Sequence, residues 1–263
     1  MLDNSFLFVT LQIGNKRVNV KSLIKGGISF FLPADCLICG KSLEPLNRSF
    51  ICKHCWEKVK WLTPPYCSIC GRPLPSEYNC SDNSSFLCGE CQVHPPYFKK
   101  AFIPTLYRGV MKEAIKLFKY KGKIGISRGL TKITRIYLDH SRFSLSELDL
   151  VIPIPLHRRK LKERGFNQAE IIAKFIAEYL NLNLVRDGLI RTRFTSSQTK
   201  LKREERLTNI KGAFKIKRGE RFKSKRVLLV DDIYTTGATL NEAAKEIKKT
   251  RAEIYVFALA RTP

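Results

Sequence analysis

The sequence predicts an α/β fold, a parallel sheet with helices on both faces, preceded by a small cysteine-rich module. Three observations carry this. From residue 97 onward, apolar strand-like runs alternate with amphipathic helical segments, the pattern of a parallel sheet joined by helical crossovers. All nine cysteines lie between Cys36 and Cys91, and eight of them form Cys-x-x-Cys pairs. The length of 263 residues accommodates one full core and a small module. With 44% apolar and 27% charged residues, the composition is globular and excludes a disordered chain. The longest apolar runs, near Phe6 to Leu11 and Ile28 to Ala34, fall short of the roughly 18 residues a spanning helix needs. No small-residue cleavage site follows the first. The chain is expected to be cytoplasmic, unexported and not inserted in a membrane.

Residues 1–32 form an N-terminal extension to which nothing is assigned; the Gly26-Gly27 pair is compatible with a turn. The module of residues 33–94 repeats itself, Cys36-Leu-Ile-Cys39-Gly40-Lys-Ser-Leu43 resembling Cys67-Ser-Ile-Cys70-Gly71-Arg-Pro-Leu74. Each copy is closed by a second pair, Cys52-Lys-His-Cys55 and Cys88-Gly-Glu-Cys91. A Cys-x-x-Cys turn brings two sulfurs together, and tetrahedral zinc wants four thiolates, so two structural zinc ions are expected in a double zinc ribbon. Consecutive pairing needs only local loops, whereas a cross-brace would interleave the pairs; the repeat favours the consecutive sets Cys36, Cys39, Cys52, Cys55 and Cys67, Cys70, Cys88, Cys91. Cys80 reads as a spare thiol, and His54 and His94 as surface residues rather than ligands.

The domain of residues 97–263 opens with a strand-like segment at Lys100 to Tyr107. Val110, Ala114, Ile115 and Phe118 share one helical face that ends at Lys121-Gly122. Leu148 to Pro155 reads as a buried strand. Asn167 with Glu170 makes an N-terminal cap for a helix whose stripe is Ala169, Ile172, Phe175, Ile176 and Tyr179. Val227 to Val230 is a buried strand, Thr239 to Lys249 a helix and Ile254 to Ala260 the last strand.

Ligands of such sheets bind beyond the carboxyl ends of the strands, which directs attention to the loops after Val230 and Pro153. The first reads Asp231-Asp232-Ile233-Tyr234-Thr235-Thr236-Gly237-Ala238-Thr239. Amides and hydroxyls of Thr235 to Thr239 can cradle a phosphate at a helix start. Asp231 and Asp232 are acceptors only, suited to vicinal sugar hydroxyls, so the block separates the two ends of a ribose phosphate.

The stretch Val227 to Leu240 resembles the phosphoribosyl diphosphate signature of type I phosphoribosyltransferases. Together with the double zinc ribbon it resembles the ComF family of competence-associated proteins, from Cys36 to the C-terminus. Further marks are Ile152-Pro-Ile-Pro-Leu156, Arg164-Gly-Phe-Asn-Gln168, Leu117-Phe-Lys-Tyr-Lys-Gly122, and Arg193, Gln198, Arg206 and Asn209 ahead of Ala213-Phe214. Phe118 before Lys119 departs from the family pattern. The resemblance implies a five-strand-like type I phosphoribosyltransferase core and a diphosphate loop at Leu156 to Lys160. It also implies a flexible loop, Thr195 to Arg206, that closes over the reaction centre and carries Gln198, Arg203 and Arg206 as catalytic candidates. Between Arg186 and Arg226 stand 15 basic and 4 acidic residues, with few large apolar ones to anchor that loop.

Phosphoribosyl transfer builds charge on the leaving diphosphate, so cations and Mg²⁺ should stabilise it. Leu156, His157, Arg158, Arg159, Lys160 and Arg164 are the candidates on the protein side. The ion would be held mainly by substrate oxygens, with water between it and the carboxylates. Three functions follow: a transferase acting on an unidentified small acceptor, a non-catalytic sensor of phosphoribosyl diphosphate, or a protein acting on or with single-stranded DNA. The ComF resemblance implies the last, in natural transformation, with a competence helicase or other DNA-uptake proteins as partners. A net charge of +25 suits a polyanion, and Trp56, Trp61, Tyr66, Tyr97 and Phe98 beside Lys53, Lys58 and Lys60 are candidate stacking platforms. An amidophosphoribosyltransferase is disfavoured, because it would open on a catalytic cysteine and the first cysteine is Cys36.

Overall fold

A computed structural model describes residues 10–13, 16–19, 35–43, 49–75, 86–140, 147–194 and 210–263. The chain divides into two compact units, Met1–Glu57 and Lys58–Pro263. The first quartet of cysteines belongs to the smaller unit and the second to the larger.

In the smaller unit, β1 (Thr10–Ile13) pairs antiparallel with β2 (Lys16–Asn19), within the extension that carries no assignment from sequence. The first cysteine turn follows, held by Cys36 N–H to Lys41 O at 2.8 Å and Gly40 N–H to Cys36 O at 2.9 Å. A short helix, α1 (Lys53–Glu57), carries Cys55 inward.

The larger unit repeats that turn with the same bonds, Cys67 N–H to Arg72 O and Gly71 N–H to Cys67 O, both 2.8 Å. The last carbonyls of each tight turn need a left-handed residue, and Gly40 and Gly71 supply it at φ +71° and +68°. After α2 (Gly89–Val93) the chain enters the sheet through β3 (Lys100–Phe102) and β4 (Thr105–Leu106). Helices α3 (Gly109–Tyr120) and α4 (Ser127–His140) precede β5 (Leu150–Pro153). Then come α5 (Arg158–Arg164), α6 (Gln168–Tyr179), β6 (Asn183–Leu184), β7 (Leu189–Arg191) and β8 (Phe214–Ile216). The chain ends with β9 (Arg226–Tyr234), α7 (Ala238–Lys248) and β10 (Glu253–Arg261).

The central sheet is wholly parallel, in the order β3-β10-β9-β5-β6, with β4 continuing beside β10. Every residue of β5 is buried, as a strand covered on both faces requires. Alternate residues diverge to opposite faces. Ile152, Leu229 and Val256 join a core with Leu240, Ala243 and Ile247 of α7 and with all four cysteines of the second quartet. On the other face Tyr137 of α4 meets Phe257 edge-on at 6.3 Å. There α6 packs on β5 and β9, burying Ile172 and Ile176, each fully buried side chain contributing about 1.5–3 kcal/mol.

Several features differ from expectation: α4 has no counterpart in the sequence reading, and α5 takes in Arg158 to Lys160 of the expected Leu156 to Lys160 loop. β9 does not stop at Val230 but runs through Asp231 and Asp232 to Tyr234, because β10 continues alongside it with Ala258 opposite Asp231 and Arg261 opposite Tyr234. A separate antiparallel ribbon, β7 with β8, stands outside the parallel sheet. Gln198, Arg203 and Arg206, the catalytic candidates of the flexible loop, lie outside the described residues, as do Asn209 and Cys80.

Candidate metal centres and ligand site

The eight paired thiols form two four-cysteine sites in consecutive pairing: Cys36, Cys39, Cys52, Cys55 and Cys67, Cys70, Cys88, Cys91. Zinc–thiolate bonds of about 2.3 Å in a tetrahedron set sulfurs about 3.8 Å apart. The Sγ atoms of Cys36 and Cys55 are 3.8 Å apart, those of Cys39 and Cys52 3.7 Å, and those of Cys70 and Cys88 3.7 Å. Within each quartet all four sulfurs lie within 4.8 Å of one another, and the eight are free thiols rather than disulfides. The donor set fits zinc, which would cross-link each quartet and offset half of its thiolate charge. Amides prepare the thiolates: Cys52 N–H donates to Cys36 Sγ at 3.4 Å. The Cys70 thiol holds Cys67 down at about 4 despite burial, helped by the amides of Cys70, Cys88 and Ile69. His54 and His94 are exposed and stand outside both quartets.

The candidate ligand site is a cleft of about 290 Å³ at the carboxyl ends of β5 and β9. Its acidic wall is Asp231 and Asp232, its loop wall Thr235, Gly237 and Thr239, and its basic wall Lys119, Lys160, Arg164 and Arg191. β9 delivers the carboxylates. Asp232 N–H donates to Asp231 Oδ1 at 2.8 Å, and Lys119 Nζ of α3 meets Asp232 Oδ1 at 2.8 Å, both side chains being largely buried. Burial, with the charge of Asp232 beside it, pushes the Asp231 carboxyl up to about 7 against the pull of Lys119. Burial and the repulsion of Arg191, Arg164 and Lys119 bring Lys160 down to about 8. Burial, then Asp232, raises the Tyr107 phenol to about 12. Cations pressed together at this cost call for an anion.

The loop wall follows from its sequence. Gly237 takes φ +79° immediately before α7, and a Cβ there would overlap the Tyr234 hydroxyl. Thr236 Oγ1 accepts from Ala238 N–H at 3.3 Å, so Thr236 and Ala238 shape the turn rather than line the cleft. On the opposite side, Asn167 caps α6, accepting from Ala169 N–H at 3.1 Å while donating through Nδ2 to Ile154 O at 3.0 Å. That bond ties α6 to the exit of β5. Beside it Arg164 Nη1 donates to Gln168 Oε1 at 2.9 Å; Gln168 is 1% exposed, and its Nε2 has no partner among the described residues.

Of the residues expected at a ligand, Asp231, Asp232, Thr235, Gly237, Thr239, Leu156, Lys160 and Arg164 share this cleft. His157, Arg158 and Arg159 do not line it. His157 caps α5 by accepting from Arg159 N–H at 3.3 Å, and Arg159 pairs with Glu163 and stands over the Phe194 ring at 5.0 Å. Lys119, Gln168, Arg191 and Tyr107 line the cleft without having been expected there. Lys119 and Gln168 sit inside motifs that mark the resemblance; Arg191, on a three-residue strand, has no signal in the sequence.

A parallel sheet with this acidic strand end and glycine turn before a helix, preceded by two four-cysteine sites that fit zinc, defines a phosphoribosyltransferase-fold protein with a double zinc ribbon. The profile described as "Double zinc ribbon domain" matches residues 27–92, and "Phosphoribosyl transferase domain" matches 167–262. The chain is 30% identical over 230 residues to Competence protein F of Haemophilus influenzae, covering 86% of this chain and 96% of that one. It is 28% identical over 225 residues to Competence protein ComFC of Bacillus subtilis, 81% and 84% being covered. DNA utilization protein YhgH of Escherichia coli K12 is 26% identical over 234 residues, 88% and 98% being covered. The chain belongs to the ComF family of competence-associated proteins. Among the described residues no helix is long and apolar enough to cross a membrane.

Proposed function

We propose that this chain binds phosphoribosyl diphosphate with Mg²⁺ in the cleft and acts on or with single-stranded DNA during its uptake. The cleft supports the first part, because it joins two carboxylates, a loop before a helix start and four cations in about 290 Å³. Asp231 and Asp232 accept from the ribose hydroxyls, and the Thr235 to Thr239 loop donates to the 5′-phosphate. Lys160, Arg164 and Arg191 face the diphosphate and stabilise its charge as it leaves. The two carboxylates are hard oxygen donors of the kind Mg²⁺ prefers, and the ion when bound would add to that neutralisation. Calorimetry with phosphoribosyl diphosphate and Mg²⁺ tests binding. Diphosphate release across a panel of bases, amines and DNA then separates a transferase from a sensor.

The names of the relatives, with the charge of +25, support the DNA part. Tyr97 is 42% exposed, with Lys245 and Lys248 at 5.9 and 5.7 Å from its ring, an arrangement that suits a stacked base beside a phosphate. Trp61 and Tyr66 are exposed too, Trp56 is half-buried, and Phe98 is core, packed edge-on against Tyr234 at 6.4 Å. Single-stranded DNA should therefore bind with little base preference, log affinity falling against log salt by about 0.7 per phosphate contacted. Filter binding at several salt concentrations checks this; no retention at low salt removes the DNA reading.

A further inference from the structure

Arg261 closes β10 and is 3% exposed. Its Nη1 donates to the carbonyl of Cys70 at 2.6 Å, and its guanidinium lies 4.6 Å from the centre of the Tyr234 ring. A buried guanidinium needs a counter-charge. Among the described residues no carboxylate pairs with it, and its Nε has no hydrogen-bond partner. The nearby source of negative charge is the second quartet, since four thiolates around Zn²⁺ leave a net charge of about −2.

Tyr234 leads from Arg261 to the cleft. It ends β9 opposite Arg261, is 5% exposed, and its hydroxyl occupies the space a Cβ on Gly237 would need. The turn is fastened to the same strand end by Thr262, whose N–H donates to Tyr234 O at 3.0 Å and whose Oγ1 donates to Thr235 O at 3.3 Å. The second quartet, Arg261, Tyr234 and the Gly237 turn are thus consecutive contacts within one unit, and the last of them lines the cleft.

We propose that Arg261 is a positioning residue through which the metal-loaded second quartet holds the Gly237 turn in shape for a phosphate. The quartet's charge retains the guanidinium, the guanidinium retains the Tyr234 ring, and the ring fixes the turn. As a statement about phosphate binding this rests on the function proposed above; as a statement about the turn it does not.

The experiment compares the full-length protein with Arg261→Gln, Arg261→Lys and Tyr234→Phe, reading metal content, amide hydrogen exchange and calorimetry with phosphoribosyl diphosphate and Mg²⁺. With two zinc ions still bound, Arg261→Gln should speed exchange at residues 235–240 about tenfold, leave β5 at its parent rate and weaken the ligand about tenfold. Arg261→Lys should restore part of both, because it keeps the charge without the fork. Tyr234→Phe keeps the ring under the guanidinium but removes the hydroxyl against Gly237, so it should loosen the same amides and supplies the answer if Arg261→Gln does not fold. Parent exchange at residues 235–240 in the folded variants, or acceleration spread evenly over the unit, overturns the proposal. If the parent protein shows no ligand heat, the ligand reading fails, and exchange alone still decides the relay.

Discussion

The two cysteine quartets share one sequence unit and one turn geometry but have different surroundings. In both, the amide that follows the first cysteine seeks the same kind of partner: Leu37 N–H reaches Phe50 O at 2.9 Å, Ser68 N–H reaches Phe86 O at 2.8 Å. In the first quartet Cys39 is exposed and Cys52 only half-buried, whereas all four cysteines of the second are buried. The second turn also lends its carbonyls to the sheet, Ile69 O accepting from Ala101 N–H at 2.7 Å and Cys70 O from Arg261. A Cys-x-x-Cys-Gly unit therefore dictates a metal turn, while its role depends on residues far away in sequence. The first serves a small unit of its own; the second is part of the core beneath the candidate ligand cleft.

The largest effect that would test this contrast is loss of a ligand. Cys70→Ser removes a buried thiolate and with it the metal, a change of at least about 4 kcal/mol, so the melting temperature of the larger unit should fall by about 10 °C. Cys39→Ser should lower zinc content equally and leave that transition within about 1 °C of the parent. Calorimetric scans with metal analysis decide; equal shifts for the two variants would erase the contrast.

Next in size are changes at the cleft wall nearest the second quartet. Gly237→Ala must adopt a left-handed conformation and displace Tyr234, so affinity for phosphoribosyl diphosphate should drop at least tenfold. Gly71→Ala has a similar φ of +68°, but its Cβ would meet only Ile103 and Leu62 at an ordinary 3.4 Å, so it should cost about 1 kcal/mol of stability and little affinity. Asp232→Asn keeps the shape and removes a charged acceptor, a loss of about 1.5–3 kcal/mol in binding by calorimetry. It should also free Lys119, its partner at 2.8 Å.

Much of this is legible in the sequence, for reasons that also explain what is not. β5 and the Val227 to Val230 part of β9 announce themselves as apolar runs because parallel strands are covered on both faces. The cysteine pairs are legible from spacing and their consecutive grouping from the repeat, and the turn before α7 from its hydroxyls and glycine. Helix α4 escapes, since Gly129, Thr131 and Thr134 interrupt the propensity pattern around the buried Leu130, Ile133 and Leu138. β7 and β8, three residues each, are too short to show a period. Asp231 and Asp232 read as loop because acidic pairs rarely lie in strands; β10 keeps them paired. Arg261 looks like one more cation in a basic tail, and only the fold reveals the carbonyl of Cys70 above it.

The smallest effect separates the basic wall of the cleft from the relay beneath it, through pH. Asp231, raised to about 7, accepts hydrogen bonds fully only once ionised, so affinity for phosphoribosyl diphosphate should climb as pH rises through 7. Lys160, lowered to about 8, loses its charge above that value, so affinity should decline by about tenfold near pH 9. The optimum falls between pH 7 and 8. In the free protein the same shifts act on stability with definite signs. The raised Asp231 removes stability as pH rises from 3.8 toward 7, and the lowered Lys160 restores some as pH rises from 8 toward 10.5. A bound anion relieves the crowding that lowers Lys160, so ligand stabilisation should be greatest inside the same window. Ligand phosphates ionise near neutrality as well and could mimic the acid limb, which makes the alkaline limb the decisive one. Lys160→Arg keeps its charge throughout and should abolish that limb while leaving the acid limb in place. Arg261→Lys, acting through the turn, should lower affinity equally at every pH. Titration calorimetry from about pH 6 to about pH 9 on the two variants tells them apart, and an alkaline limb that survives in Lys160→Arg would remove Lys160 from the binding wall.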